Sequence, residues 1–341
     1  MDTVSLLLNS PRGRFFCANV GYACSDDERA SHYRRPQTPG DALEVLEDVE
    51  ARAVARLSEI DLLDALALAT DFARYWQPPD EEDQMFARPE IAAALRPIAR
   101  AALASPHARW WNEAVDLADQ RYVEKFHPRW GWSELPLRIH RAAGHLERWR
   151  ADALATERRF REDQASDPDR RVSGEWWSTP VVAGTTDTSR AREGLGAVEL
   201  LLDEDDNSDG AQARVWPVRV HGTPRVYEIT DPSDWAHLVD AYPFPVPASR
   251  SSDWYDTTGE HHEWFIPDWA AAAADYDAVH LTVAGYLTTP GIAIPLAAHP
   301  GATVLAGWNP DATFWLRNDF LTIDDDPTDW HRYRDGPWEP A

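Results

Sequence analysis

Residues 162 to 174 (Glu-Asp-Gln-Ala-Ser-Asp-Pro-Asp-Arg-Arg-Val-Ser-Gly) offer a folding chain almost nothing to bury. Such a stretch cannot anchor itself in a core, so it divides the sequence. Before it, apolar residues recur every three or four positions; after it, they fall in short β-prone runs between turn residues. The change of period predicts an α+β protein, with a helical N-terminal region (1–165) packed on a mixed, mainly antiparallel sheet with short helices (166–341). A length of 341 residues exceeds what one core usually serves, which agrees with two units.

In the first half, Asp41 followed by Glu44 reads as a capping-box start, and Leu43, Leu46, Val49, Val54 and Leu57 form one apolar stripe. Ser58-Glu59-Ile60-Asp61 opens a second helix through Leu62, Leu63, Leu66 and Phe72, which Pro78-Pro79 ends. Helical composition resumes over Pro89–Leu103. Ser105-Pro106 then predicts a helix to about Lys125, and Ser133 caps a basic helix from Glu134 to about Arg161. In the second half, Trp176–Val182, Leu195–Leu202, Arg214–Val220, Arg225–Ile229, Ala278–Val283, Thr303–Ala306 and Thr313–Leu316 are β-prone. Asp203 to Gly210 reads as a hairpin-like loop, and short helices follow Asp231-Pro232 and Ile266-Pro267.

The charge balance narrows the partners. Lys plus Arg total 33 against 58 Asp plus Glu, a formal charge of -25, which repels phosphate backbones and anionic headgroups. Nonspecific nucleic-acid binding and membrane association are therefore not expected. A cleft can still focus positive potential locally, and the arginines of the 134–161 segment form a positive element that either is solvated beside acidic neighbours or contacts a partner. Two cysteines, Cys17 and Cys24, make neither a disulfide framework nor a zinc quartet. With no apolar run near the ~20 residues that span a bilayer and no basic segment ahead of Leu6-Leu7-Leu8, the expected setting is the cytoplasm.

Phosphate-loop, dinucleotide-binding, zincin and nucleophile-elbow signatures are absent. Glu260-His261-His262-Glu263 is dense in ligand atoms, but adjacent side chains diverge, so no metal site is assigned there. The densest polar and aromatic constellation runs from Asp268 to Thr313. Within it His280 and Thr282 share one face of a strand, Gly285 presents Tyr286, and an Asn309-Pro310-Asp311 turn sets a carboxylate beside Trp308. A His, a hydroxyl, a carboxylate and aromatic rings suit a planar or sugar-like ligand. Arg225 or Arg250 would supply positive charge for an anionic one. If these groups line a cavity, alanine at His280 or Asp311 should cost ligand binding and little stability.

His221-Gly222-Thr223 resembles the H-G-[ST] element of one branch of ADP-ribosyltransferases. That resemblance implies NAD as cofactor, His221 orienting its ribose, and Tyr286 stacking on nicotinamide. The family's Glu has no counterpart after Tyr286 except Glu339, so Asp311 would have to serve. Along its length the chain also resembles a family of hypothetical proteins from high-GC soil bacteria. The blocks are Asn9–Arg14, Ala73–Asp80, Gly174–Pro180, Val226–Ile229, Val279–Leu287 and Leu305–Asp311. This implies one evolving unit and assigns no catalytic residue. Two functions stand: an enzyme acting on a nucleotide or sugar-like small molecule, most concretely an NAD-using transferase, or an acidic immunity or regulatory protein that binds a basic protein partner.

Overall fold

The computed structural model describes residues 2–25, 36, 38–129, 131–132, 144–167, 171, 173–179, 185–204, 211–333 and 336–341. Its helices are α1 (Thr3–Asn9), α2 (Pro11–Ala23), α3 (Pro39–Glu47), α4 (Ala51–Val54), α5 (Glu59–Asp71), α6 (Glu81–Phe86), α7 (Pro89–Leu103), α8 (His145–Ser166), α9 (Pro232–Ala241), α10 (Ser251–Thr258), α11 (Trp269–Ala272) and α12 (Val283–Thr288). The strands are β1 (Gln120–Lys125), β2 (Thr186–Arg190), β3 (Gln212–Val220), β4 (Val226–Ile229), β5 (Pro243–Pro245), β6 (Phe265–Pro267), β7 (Ala278–Leu281), β8 (Ile294–Pro295), β9 (Ala302–Thr303), β10 (Thr313–Trp315), β11 (Leu321–Ile323), β12 (Thr328–His331) and β13 (Glu339–Pro340).

The fold is α+β. Nine strands form one sheet in the order β13-β12-β3-β1-β2-β10-β7-β4, with β11 also paired to β3. Every pairing in it is antiparallel except β4 with β7. The sheet is thus mixed and mainly antiparallel.

Helix starts follow local chemistry. Ser58 and Asp61 form a reciprocal capping box on α5, with Asp61 N–H donating to Ser58 Oγ at 3.3 Å and Ser58 N–H to Asp61 Oδ2 at 2.8 Å. Removing the hydroxyl by Ser58→Ala is expected to cost about 1 kcal/mol in a urea titration, and no loss would contradict the capping role. The stripe beginning at Asp41 is two helices, α3 and α4. Thr38 caps α3, and Asp41 is the acidic residue of its first turn.

The sequence reading missed α2, and burial explains why. Phe15, Phe16, Cys17, Ala18 and Val20 are all fully buried, so α2 has no polar face to reveal a period. It packs on α5, α7 and α12. A Cβ at Gly13 would lie 1.9 Å from the Leu7 carbonyl oxygen, so only glycine lets the backbones meet there.

The helix predicted from Ser105 to Lys125 is instead a 3-10 turn, Pro106–Asn112, followed by β1. Trp110 and Trp111 pin the turn in the core, and β1 pairs with β3 on one side and β2 on the other. The helical half therefore contributes a central strand. One hydrophobic core runs from Leu7 to Trp338 and joins both halves.

The 195–202 run forms a 3-10 turn, Val198–Leu200. Residues 176–179 belong to no strand. Ser133, the first turns of the 134–161 segment, residues 180–182 and most of the 203–210 loop lie outside the described residues. Within α8, Arg150 grips Asp268 through Nε at 2.9 Å and through a second nitrogen, while Arg161 pairs with Glu157 at 3.2 Å. Among the described residues, no helix is long and apolar enough to cross a membrane.

Candidate functional site

The strand β7 carries His280, which is 1% exposed. Its Nδ1 lies 2.5 Å from Glu228 of β4 and its Nε2 3.4 Å from Asp311. Asp311, ahead of β10, accepts from Arg190 Nε at 2.8 Å and from the Arg190 backbone N–H at 3.1 Å. Arg190 continues to Glu113 at 3.5 Å and lies over Trp110, which also carries Arg192, itself held by Glu59 at the start of α5. This chain of contacts runs from β4 to α5. It ties the two halves of the molecule and opens into neither cavity described below.

The other expected site residues separate. His221 is exposed and sits 2.8 Å from the Thr322 hydroxyl. Arg225 pairs with Asp277 through Nε and Nη2, each at 3.2 Å. Thr282 is no longer on the strand that holds His280: it caps α12, accepting from Gly285 N–H at 3.0 Å and donating to the Ile229 carbonyl at 3.2 Å. Glu260 engages His262 at 2.7 Å and His261 stacks on Tyr255 at 4.1 Å. Among the described residues, no group of three or more His, Cys, Asp or Glu is placed to hold a metal ion.

The remaining three, Arg250, Tyr286 and Trp308, do not line a cavity but each touches or neighbours a residue that lines one of about 310 Å³. Half-buried Trp176 and Trp177 and the side chain of Phe314 wall it; Asp187, Asp203, Glu204 and Asn309 supply its polar lining. Phe314 and Asp187 stand opposite each other on β10 and β2. Gly307, at φ 75°, passes so close that a Cβ would lie 3.1 Å from Trp177 and 3.3 Å from Trp176. Arg250 donates to the Trp177 carbonyl at 3.2 and 3.1 Å and fixes that wall; burial pushes its guanidinium down to about 10.

Asn309 clamps two of the acids, donating to Asp203 at 2.9 Å and accepting from Glu204 N–H at 2.8 Å. Lys125 of β1 meets Asp203 at 3.1 Å. The Glu204 carboxylate accepts from the Tyr75 hydroxyl at 2.5 Å and from Trp308 N–H at 3.0 Å, and Tyr286 is a close electrostatic neighbour. Burial pushes Glu204 up to about 7 against the opposing pull of Tyr75 and Tyr286, and burial with the nearby Asp203 charge pushes Asp187 up to about 6.

Sequence reasoning missed Glu204, Asp187 and Tyr75. Trp176 and Trp177 were visible as the start of a β-prone run and within the Gly174–Pro180 block, not as site residues. No protein-family model, no curated protein and no solved structure matches the chain.

These shifts set a pH dependence. Glu204 and Asp187 bind their protons more tightly folded than unfolded. His280 does too, because Asp311 and Glu228 outweigh the opposing effect of burial. A raised folded pKa gives stability that is complete below the unfolded value and lost as pH rises through the folded one. All three therefore act in one direction, and the urea midpoint should be higher at pH 5.5 than at pH 8. A higher midpoint at pH 8 would contradict these assignments.

Proposed function

We propose that this protein is an enzyme that makes or breaks a glycosidic bond in a sugar-like small molecule held between Trp176, Trp177 and Phe314. The observation that carries the reading is a pair of carboxylates, Glu204 and Asp187, in one aromatic-walled cavity with ionisation pushed to two different points, about 7 and about 6. Indole and phenyl faces stack on the C–H face of a sugar ring or on a base. Glycosyl chemistry needs one protonated carboxylic acid to protonate the leaving oxygen or nitrogen and one carboxylate to assist at the anomeric carbon. Glu204, the more weakly acidic, takes the acid role; Asp187 takes the other. Asn309, by holding Asp203 and the Glu204 backbone, orients the acidic side.

An uncharged substrate suits this lining best, because among the described residues no cation lines the cavity, and Lys125 beside it is already paired with Asp203. The NAD-using transferase is the anionic version of the same bond chemistry, and NAD belongs in the substrate panel for that reason. The free cysteines, Cys17 buried and Cys24 half-buried, support a reducing, cytoplasmic setting. The formal charge of -25 favours a second reading, an acidic binding protein for a basic partner.

The deciding experiment incubates the wild type with aryl glycosides, nucleosides and NAD and follows the released phenol, base or nicotinamide. Turnover of at least one member supports the enzyme. No turnover across the panel, together with a complex formed with a strongly basic protein that persists at physiological salt, would replace it with the binding reading.

A further inference from the structure

A second cavity, of about 330 Å³, lies where α2 begins and the C-terminal half closes over it. Arg12, Arg14 and Arg74 line it, with Tyr75, Asp83 and Thr257 among their neighbours. Three guanidiniums on one cavity are unexpected in a chain of charge -25.

Their partners leave the charge largely unbalanced. Arg12, 2% exposed, donates to the Ala69 carbonyl at 2.6 Å and meets the Asp83 carboxylate at 3.3 Å. Arg14 donates to the carbonyls of Leu8 and Asn9, and Arg74 to those of Asp71 and Ala73. Carbonyls orient a guanidinium without neutralising it. The lining's other carboxylate, Glu260, is engaged by His262. The Nε atoms of Arg12 and Arg14 are both buried with no hydrogen-bond partner, which in a packed protein marks a donor waiting for an acceptor. The first turn of α2, a helix of 13 residues capped by Ser10, adds the positive end of its dipole at the same place.

We propose that this cavity binds a phosphate group, as the free anion or as the monoester of a small molecule, with Arg12, Arg14 and Arg74 as its recognition residues. Guanidiniums and a helix N-terminus together match a tetrahedral oxyanion, and the cavity has room for a small organic group besides. This cavity is distinct from the one at Trp176 and Trp177, the two having no lining residue in common, and Tyr75 links them by reaching Glu204 and packing on Trp176.

The test is thermal unfolding of the full chain with inorganic phosphate, phenyl phosphate or chloride at matched ionic strength and pH. Arg12 is too buried to replace safely, so the variants are Arg14→Gln and Arg74→Gln. Phosphate should raise the melting temperature saturably above chloride, and each variant should weaken the apparent affinity at least tenfold. A phenyl phosphate effect at lower concentration than inorganic phosphate would identify a phosphomonoester as the ligand class; equal effects would identify the free anion. No saturable shift with either phosphate, or a shift unchanged in both variants, would overturn the proposal.

Discussion

Asp311→Ala is expected to lower the stability of this protein by about 3–5 kcal/mol, the range for leaving one partner of a buried ion pair uncompensated. Arg190 and Asp311 are 4% and 2% exposed. Without the carboxylate, the guanidinium keeps its charge and loses both the Nε bond and its only buried counter-charge among the described residues, since Glu113 is mostly exposed. The Arg190 backbone N–H is orphaned as well. Asp311 is also the only non-glycine among the described residues with a positive φ, 59°, a conformation that Asp and Asn tolerate and Ala resists. Asp311→Asn should therefore lose less than Asp311→Ala, because it keeps an acceptor and the backbone preference. Urea titrations of both variants check this. A loss below about 1 kcal/mol for Asp311→Ala would show that the network is not structural. The sequence reading expected little loss here because it placed His280 and Asp311 on a cavity wall; the structure places them in the interior, bound to each other and to Arg190 and Glu228.

Glu204→Gln should reduce turnover at least 100-fold on any substrate the wild type uses, the lower end of what a general acid supplies. The amide keeps the shape of the side chain but carries no transferable acid proton. The same variant should flatten the dependence of stability on pH. Folded Glu204 titrates near 7, well above the usual carboxylate value, a difference of roughly 3 kcal/mol between protonation states that wild type loses as pH rises from the usual carboxylate range to about 7. With the amide in place, the fall in urea midpoint from pH 5.5 to pH 8 should shrink, leaving what Asp187 and His280 contribute. Unchanged turnover would remove Glu204 from the chemistry; an unchanged pH slope would remove it from the titrating groups. The two outcomes are separable.

What could be read from the chain divides along physical lines. The Ser58 capping box is local chemistry and was legible, as were the β7 and β10 strands, whose short apolar runs sit between turn residues. Strand β1 was not. Its residues, Gln120 to Lys125, have no strong period of their own, and tertiary pairing on both sides decides their conformation. Trp308 stood out in the sequence beside its Asn309-Pro310-Asp311 turn, yet Glu204 did not, because it sits in an acidic run that reads as a hairpin-like loop. Its burial depends on Tyr75, 129 residues away, and on the Trp308 backbone. Arg250 and Tyr286 were singled out as ligand contacts; neither lines the cavity that Trp176 and Trp177 open, Arg250 instead holding the Trp177 carbonyl and Tyr286 lying buried beside Glu204.

Whether the cavity between Trp176, Trp177 and Phe314 receives a sugar-like ligand can be read directly by saturation-transfer NMR. Neutral sugars, aryl glycosides and nucleosides would be screened as one panel against the wild type and Trp177→Ala. Saturation transfer is expected from the wild type to at least one member, strongest on the ring protons that face the indoles, and it should be lost in Trp177→Ala with the chain still folded. Absence of transfer to every member, or transfer that persists unchanged in Trp177→Ala, would contradict binding of a sugar-like ligand in this cavity.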